Sequence, residues 1–144
     1  MTENKYIVDG PITTDIISEY IKLANNDIEA GAQSIFLGQV RADNINSKDV
    51  SKISYKAYDE MVVNEAEKIE KIIFNKYPDV HDIIIKHSIG EVKAGELSLF
   101  ILITGGHRKQ AGKACAESVD LIKEMLPIWK KEFFNNEDYH WREN

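Results

Sequence analysis

Apolar residues recur at steps of three and four in three separate segments, and each of these segments predicts an amphipathic helix. The first is "ITTDIISEYIKLAN", for which Thr13 or Thr14 supplies the N-cap. The second extends from Glu60 to Tyr77, and the third extends from near "GGHRKQ" to about Met125. A proline follows the second helix at once and the third after one further residue, as expected where a helix stops.

Between these segments the pattern changes to runs of β-branched, aliphatic and aromatic residues, which predict strands. Two of the runs, "DIIIKHSIGEV" and "ELSLFILIT", are joined by a short segment and should pair as antiparallel strands. The remaining strands are predicted near residues 5–8, 30–41, 50–58 and 128–134. Helices that alternate with strands in hairpins predict one α+β domain over residues 1–144, with the helices packed on a largely antiparallel sheet.

Composition and charge exclude several classes of protein. With 144 residues, 43% of them hydrophobic and 29% charged, the chain is typical of one soluble globular domain. A net charge of −6 argues against a nucleic-acid coat and against a polybasic membrane binder. Cys115 is the only cysteine, and no signal peptide or long apolar stretch is present, so a cytoplasmic location is expected. The four histidines lack a ligand spacing, and neither a metal nor a cofactor is expected.

The segment "ITGGHRKQ" predicts an anion site at the start of the third helix. A helix N-terminus offers free N–H groups and partial positive charge, glycines allow close approach of a ligand, and Arg108 adds a fork suited to phosphate oxygens. His107 lies beside it. A plain turn with solvated basic side chains explains the same residues, and the spacing alone does not decide between the two interpretations.

Two further places contain cations in suggestive positions. Arg41 falls where a predicted strand runs out into the polar loop "ADNINSKD", although a solvated arginine explains this equally well. Lys123 and Lys130 lie seven residues apart, on either side of Pro127. A lysine whose pKa is lowered by burial or by another cation can act as an acid, a base or a nucleophile. Surface lysines whose stems pack on the fold are the ordinary alternative.

Five segments in order resemble the MoaE family, the catalytic large subunits of molybdopterin synthase. They are "GAQSIFLGQVRADN", "YKAYDEM", "HSIGEVKAGE", "GGHRKQA" and "LIKEMLPIWKKE", and they lie within residues 30–132. The resemblance implies a MoaE-like α/β hammerhead fold. It also implies that Lys123 and Lys130 are catalytic and that Arg41, His107 and Arg108 bind the substrate.

The resemblance implies a sulfurtransferase. Such an enzyme takes sulfur from the C-terminal thiocarboxylate of a small ubiquitin-like, MoaD-like carrier and forms the dithiolene of molybdopterin on cyclic pyranopterin monophosphate. It further implies a homodimer with one carrier on each copy, which makes a heterotetramer. Neither nucleic acid nor a membrane is an expected partner.

Three departures from the family pattern stand out. Asn46 occupies a position where a glycine is usual, Ser88 replaces a common arginine, and the tail is short, which leaves Arg142 as a candidate only. Two other functions also stay open. One is a lyase in which Lys123 forms a Schiff base with a carbonyl substrate. The other is a non-catalytic scaffold that binds a phosphate ligand.

Overall fold

The structure is a computed structural model that describes residues 4–135 and 139–143. These residues form three helices, α1 (Thr14–Ala24), α2 (Asp59–Lys76) and α3 (Arg108–Met125). They also form eight strands: β1 (Ile7–Asp9), β2 (Ala32–Gln39), β3 (Asn44–Ile45), β4 (Lys48–Ala57), β5 (Val80–Lys93), β6 (Leu97–Gly105), β7 (Ile128–Phe134) and β8 (Tyr139–Glu143). The three predicted helices and the six predicted strands are therefore confirmed, and β3 and β8 are additional.

The sheet runs in the order β2-β6-β5-β4-β7-β8, and each neighbouring pair in this order is antiparallel. The short strand β1 lies parallel to the middle of β5, and β3 pairs with β4. The α+β prediction with a largely antiparallel sheet is confirmed. The strand order did not follow from the sequence.

The long strand β5 joins the two halves of this sheet. Its first part, up to His87, pairs with β6, whereas its last part, from Gly90, pairs with β4. Gly90 has a φ of +82°, in the left-handed region that glycine adopts without steric cost, and it lies where the pairing changes. Through this change of partner, β5 brings the β2–β6 half of the sheet against the β4–β7 half.

Helices α2 and α3 bury their apolar stripes on the main core. The buried side chains of α3 are Ala111, Ala114, Cys115, Ser118 and Ile122, which lie on one face of the helix. Cys115 is thus a core residue, and burial raises the pKa of its thiol. Apolar area removed from water is the main term that holds such helices in place.

Helix α1 packs more loosely, over a second cluster formed by Ile12, Phe100 and Leu102. Of the two candidate N-caps, Thr13 is the one used, because its hydroxyl accepts a hydrogen bond from the Ile16 N–H at 3.3 Å. No residue of α1 is fully buried. The helix therefore covers the cluster with one face and leaves the rest in solvent.

The segment after Arg41, expected to be a polar loop, contains a tight hairpin. Strands β3 and β4 pair, and Asn46 and Ser47 form the two-residue turn between them, with φ of 53° and 66°. Two successive left-handed residues match the twist of a β-hairpin, and asparagine adopts this conformation more readily than most residues. Asn46 therefore serves as the expected glycine would.

Candidate active site

A cavity of about 410 Å³ opens between the end of β2, the strands β4 and β7, and the end of α3. Three of the five predicted site residues line it, namely Arg41, Lys123 and Lys130. They come from separate elements of the fold. The cavity lies within the range of volumes typical of small-molecule sites.

The chain brings the two lysines together by ending a helix between them. Lys123 lies in the last turn of α3, where a cation interacts favourably with the negative end of the helix dipole. Pro127 follows the cap residue Leu126, and β7 begins at once with Ile128. Lys130 then extends into the cavity from β7 while Lys123 extends from the helix, so the proline between them is where the chain changes from helix to strand.

Among the described residues, four buried polar side chains line the same cavity, and the sequence had not identified them as site residues. They are Tyr55, His87, Ser98 and Glu132. Tyr55 is the register partner of Lys130 in the β4–β7 pair. Glu132 is only 2% exposed and lies two residues after Lys130, on the same side of β7. A charged residue two positions from a candidate lysine in a predicted strand was the available signal for this carboxylate.

His87 lies beside Tyr55 with its ring centroid 5.0 Å from that of the phenol, in an edge-on contact of 78°. The Nδ1 atom lies 2.8 Å from the carbonyl oxygen of Ser88. Since a carbonyl only accepts hydrogen bonds, Nδ1 carries the proton of the neutral ring and Nε2 carries the lone pair.

Burial controls the ionisation of His87 and Tyr55. It lowers the pKa of His87 to about 4; the Ser88 carbonyl opposes this shift, and the positive charge of Lys130 adds to it. Burial also raises the pKa of Tyr55; a hydrogen bond with Ser98 opposes that change and the charge of Glu132 adds to it. At neutral pH the cavity therefore contains an uncharged imidazole and an uncharged phenol beside two lysines and a carboxylate.

Arg41 lies at the open edge of the cavity, directly after β2. Its side chain is 84% exposed, and its Nε lies 2.5 Å from the Asp43 carboxylate. An exposed ion pair of this kind adds little stability. Asp43 orients the guanidinium, which keeps further N–H groups available to an anion.

The structure does not bring His107 and Arg108 to this cavity. Both are exposed at the start of α3, and Arg108 precedes Lys123 by 15 residues, about 22 Å along a helix. A carboxylate of the chain itself already occupies part of the predicted anion site, because the His107 N–H donates to Asp79 at 2.7 Å. The guanidinium of Arg108 remains exposed at this end of the helix.

No metal site or membrane span emerges from the residues that the structure describes. Among residues 4–135 and 139–143, no group of three histidine, cysteine or acidic side chains is arranged to hold a metal ion. None of the described helices is both long enough and apolar enough to cross a membrane. The side chain of Arg142, the candidate from the tail, lies outside the described part of the chain.

Comparison with known proteins gives one consistent family. The model of the MoaE protein family matches residues 8–125. The molybdopterin synthase catalytic subunit of Pyrococcus abyssi is 40% identical over 116 residues, which cover 81% of this chain and 76% of that protein.

Solved structures agree with this result. The crystal structure of molybdopterin synthase from Staphylococcus aureus superposes with a TM-score of 0.85 at 28% identity, over the whole of both chains. A complex of subunits 1 and 2 of molybdopterin-converting factor from Helicobacter pylori matches with a TM-score of 0.79 at 25% identity, over 96% of this chain and 90% of that one. This chain belongs to the MoaE family.

Proposed function

We propose that this chain is the catalytic subunit of a cytoplasmic molybdopterin synthase. In this reaction, sulfur passes from the C-terminal thiocarboxylate of a small ubiquitin-like carrier to cyclic pyranopterin monophosphate, and the product has a dithiolene. One observation carries the proposal: Lys123 and Lys130, from different elements, line one cavity together with Arg41. The family membership supplies the reaction class.

The charges in the cavity suit this chemistry. A thiocarboxylate, a cyclic phosphate and the transition state for sulfur attack are all anionic, so they need cations that are already in position. The ammonium groups of Lys123 and Lys130 stabilise the developing charge and can deliver protons, and the guanidinium of Arg41 can hold phosphate oxygens. Glu132 provides one fixed negative charge beside Lys130, which limits repulsion between the cations when the site is empty.

A shallow depression beside the cavity suits the tail of the carrier. Its volume is about 530 Å³, and Gln39, Val40 and Arg41 line both it and the cavity. Ala42, Ala94 and Gly95 complete it, so its wall is largely apolar and made of small side chains. An extended chain that ends in a small residue can lie along such a wall and place its terminal carbonyl next to Arg41 and Lys123.

A homodimer accounts for the separate position of Arg108. Among the described strands, β2 lies at the edge of the sheet and exposes Ile35 and Leu37. An exposed edge with apolar side chains is prone to pair with another chain. A two-fold antiparallel pairing centred near Phe36 sets Arg41 of one copy opposite Gly31 of the other.

That arrangement brings the second copy's helix start to the first copy's cavity. Gly31 is hydrogen-bonded to Gly105, two residues before His107. His107 and Arg108 of one copy then lie near Arg41 of the other, and the substrate phosphate would be held between the two copies. Each copy would bind one carrier, which gives the heterotetramer.

Reconstitution tests the proposed function. The protein is mixed with a thiocarboxylated small subunit from a characterised synthase and with cyclic pyranopterin monophosphate, and the dithiolene product is measured by mass spectrometry. We expect product in proportion to the thiocarboxylate supplied. Absence of product, under conditions in which the characterised large subunit reacts, would contradict it.

A further inference from the structure

Among the side chains that the structure describes, His87 is the one buried histidine on the cavity wall, and the reaction proposed above leaves it without a role. Only 3% of the residue is exposed, yet its ring lines the cavity that contains both lysines. Packing alone does not explain a histidine at this position, because burying a polar ring is unfavourable unless both of its nitrogens form hydrogen bonds.

One of its two nitrogens has an assigned role and the other does not. The Nδ1–H donates to the Ser88 carbonyl, which fixes the orientation of the ring. The Nε2 lone pair therefore points away from the β5 backbone. The ring packs edge-on against Tyr55, and Tyr55 lies directly opposite Lys130 in the sheet register. The charge of Lys130 is close enough to His87 to act on its ionisation.

We propose that His87 is a positioning residue for Lys130, with the unprotonated Nε2 accepting a hydrogen bond from the Lys130 ammonium group when that side chain extends into the cavity. This inference rests on the proposed function, in which Lys130 acts on the substrate. An uncharged acceptor orients the ammonium without neutralising it. The positive charge then stays available to the anionic transition state.

The charged and titratable groups around His87 are consistent with this role. Lys130 and Glu132 face it from β7, Tyr55 faces it from β4, and Lys123 lies on the cavity wall at the end of α3. From β6, the apolar Leu99 lies opposite His87 in the register, and the uncharged Ser98 beside it also lines the cavity. Glu132 is the carboxylate among these described neighbours of His87, so a neutral imidazole adds an acceptor without adding a further negative charge. A protonated His87 would instead lose the acceptor and repel Lys130.

Two substitutions separate the two nitrogens. His87→Asn retains an amide near the position of Nδ1, which can donate to the Ser88 carbonyl, but it has no atom at the position of Nε2. His87→Gln reaches the position of Nε2 with an oxygen that can accept. Loss of a hydrogen bond to a charged group generally costs about tenfold or more. We therefore expect kcat to fall about tenfold or more in His87→Asn and to stay within about threefold of wild type in His87→Gln.

The pH profile supplies a readout that packing alone would not change. A hydrogen bond accepted from an ammonium favours its charged form, so loss of Nε2 should lower the pKa of Lys130. The alkaline limb of the kcat profile should move to lower pH in His87→Asn and stay in place in His87→Gln. Equal kcat and equal pH limbs in the two variants, or losses that follow their thermal stabilities, would overturn the proposal.

A measurement without substrate distinguishes this inference from the proposed function. The pKa of Lys130 is measured by NMR of the intact, lysine-labelled protein, with the signal assigned through Lys130→Arg. A lower pKa in His87→Asn, but not in His87→Gln, supports the positioning role even if the wild-type protein forms no dithiolene. An unchanged pKa in both variants overturns it, whatever the activity.

Discussion

Lys130 and Lys131 are neighbours in β7, yet they face opposite sides of the sheet. The side chain of Lys130 lines the cavity, whereas the ammonium of Lys131 lies 3.8 Å from the ring centre of Tyr139 and 5.2 Å from that of Trp141. Alternation along a strand is sufficient to produce this difference. One strand thus supplies a candidate catalytic cation on one face and an aromatic contact on the other.

The two lysines should therefore differ sharply when each is replaced by alanine. Lys130→Ala removes a cation from the cavity, and we expect turnover to fall about tenfold or more. Lys131→Ala removes a cation–π contact that is worth about 1 kcal/mol at an exposed site, so its turnover should be near normal. The rate of dithiolene formation is compared between the two variants at saturating carrier and substrate. Similar losses in both variants would contradict the assignment of Lys130.

Arg108→Ala should weaken binding of the cyclic phosphate and leave the carrier's affinity nearly unchanged. A lost hydrogen bond to a charged group costs about 1.5 to 3 kcal/mol. Calorimetry with each ligand separately measures both affinities. An equal loss of both would show that Arg108 supports the fold or the carrier interface.

Mixing two defective variants tests whether Arg108 acts on the other copy's cavity. In a heterodimer of a Lys123→Ala chain and an Arg108→Ala chain, one cavity has both residues intact if the site is shared between copies. With substrate well below saturation, so that both pure variants are slow, random exchange between equal amounts of the two chains should restore about a quarter of wild-type activity, since half of the dimers contain one intact site out of two. If activity stays at the mean of the two pure variants, the shared site is wrong.

Much of the fold follows from local patterns. Apolar residues at steps of three and four predict the helices, and Thr13 and the prolines mark their ends. The strand β3 and its turn were not predicted because Asn44–Asp49 contains one apolar residue, Ile45, and its pairing depends on the backbone conformation of Asn46 and Ser47. Such a hairpin has no apolar alternation to reveal it.

The candidate site, like the fold, could be predicted from the sequence only in part. Lys123, Lys130 and Arg41 are recognisable because their positions resemble a known family. Tyr55 and His87 belong to the site only because β4 and β5 lie side by side, and pairing between residues 30 or more apart leaves no local pattern. Arg108 is separated from the lysines by the length of α3. This distance is known only once both ends of the helix are located.

His87 should also make the protein less stable in mild acid. Its pKa is about 4 in the folded chain and near 6.5 when unfolded, so between these values the unfolded state binds more protons. Stability should therefore fall as the pH decreases from about 6.5 to 4, by roughly 3 kcal/mol from this group.

Denaturant unfolding measured at several pH values isolates this contribution. His87→Gln has no titrating group at this position, so its stability should decline less over the same interval. Parallel curves for wild type and variant would show that His87 does not titrate in this way.

The measurement that bears most directly on the account is the rate of dithiolene formation by Lys123→Ala. With carrier and substrate saturating, it should be about a hundredfold or more below that of wild type, with little change in thermal stability. Lys123→Arg should also be poor, because a guanidinium differs from an ammonium in shape and proton affinity, and the Lys123→Ala, Lys130→Ala double variant should be less than additive. Lys113→Ala, exposed near the start of the same helix, is the control and should behave as wild type. Near-normal product formation by Lys123→Ala would contradict the proposed mechanism.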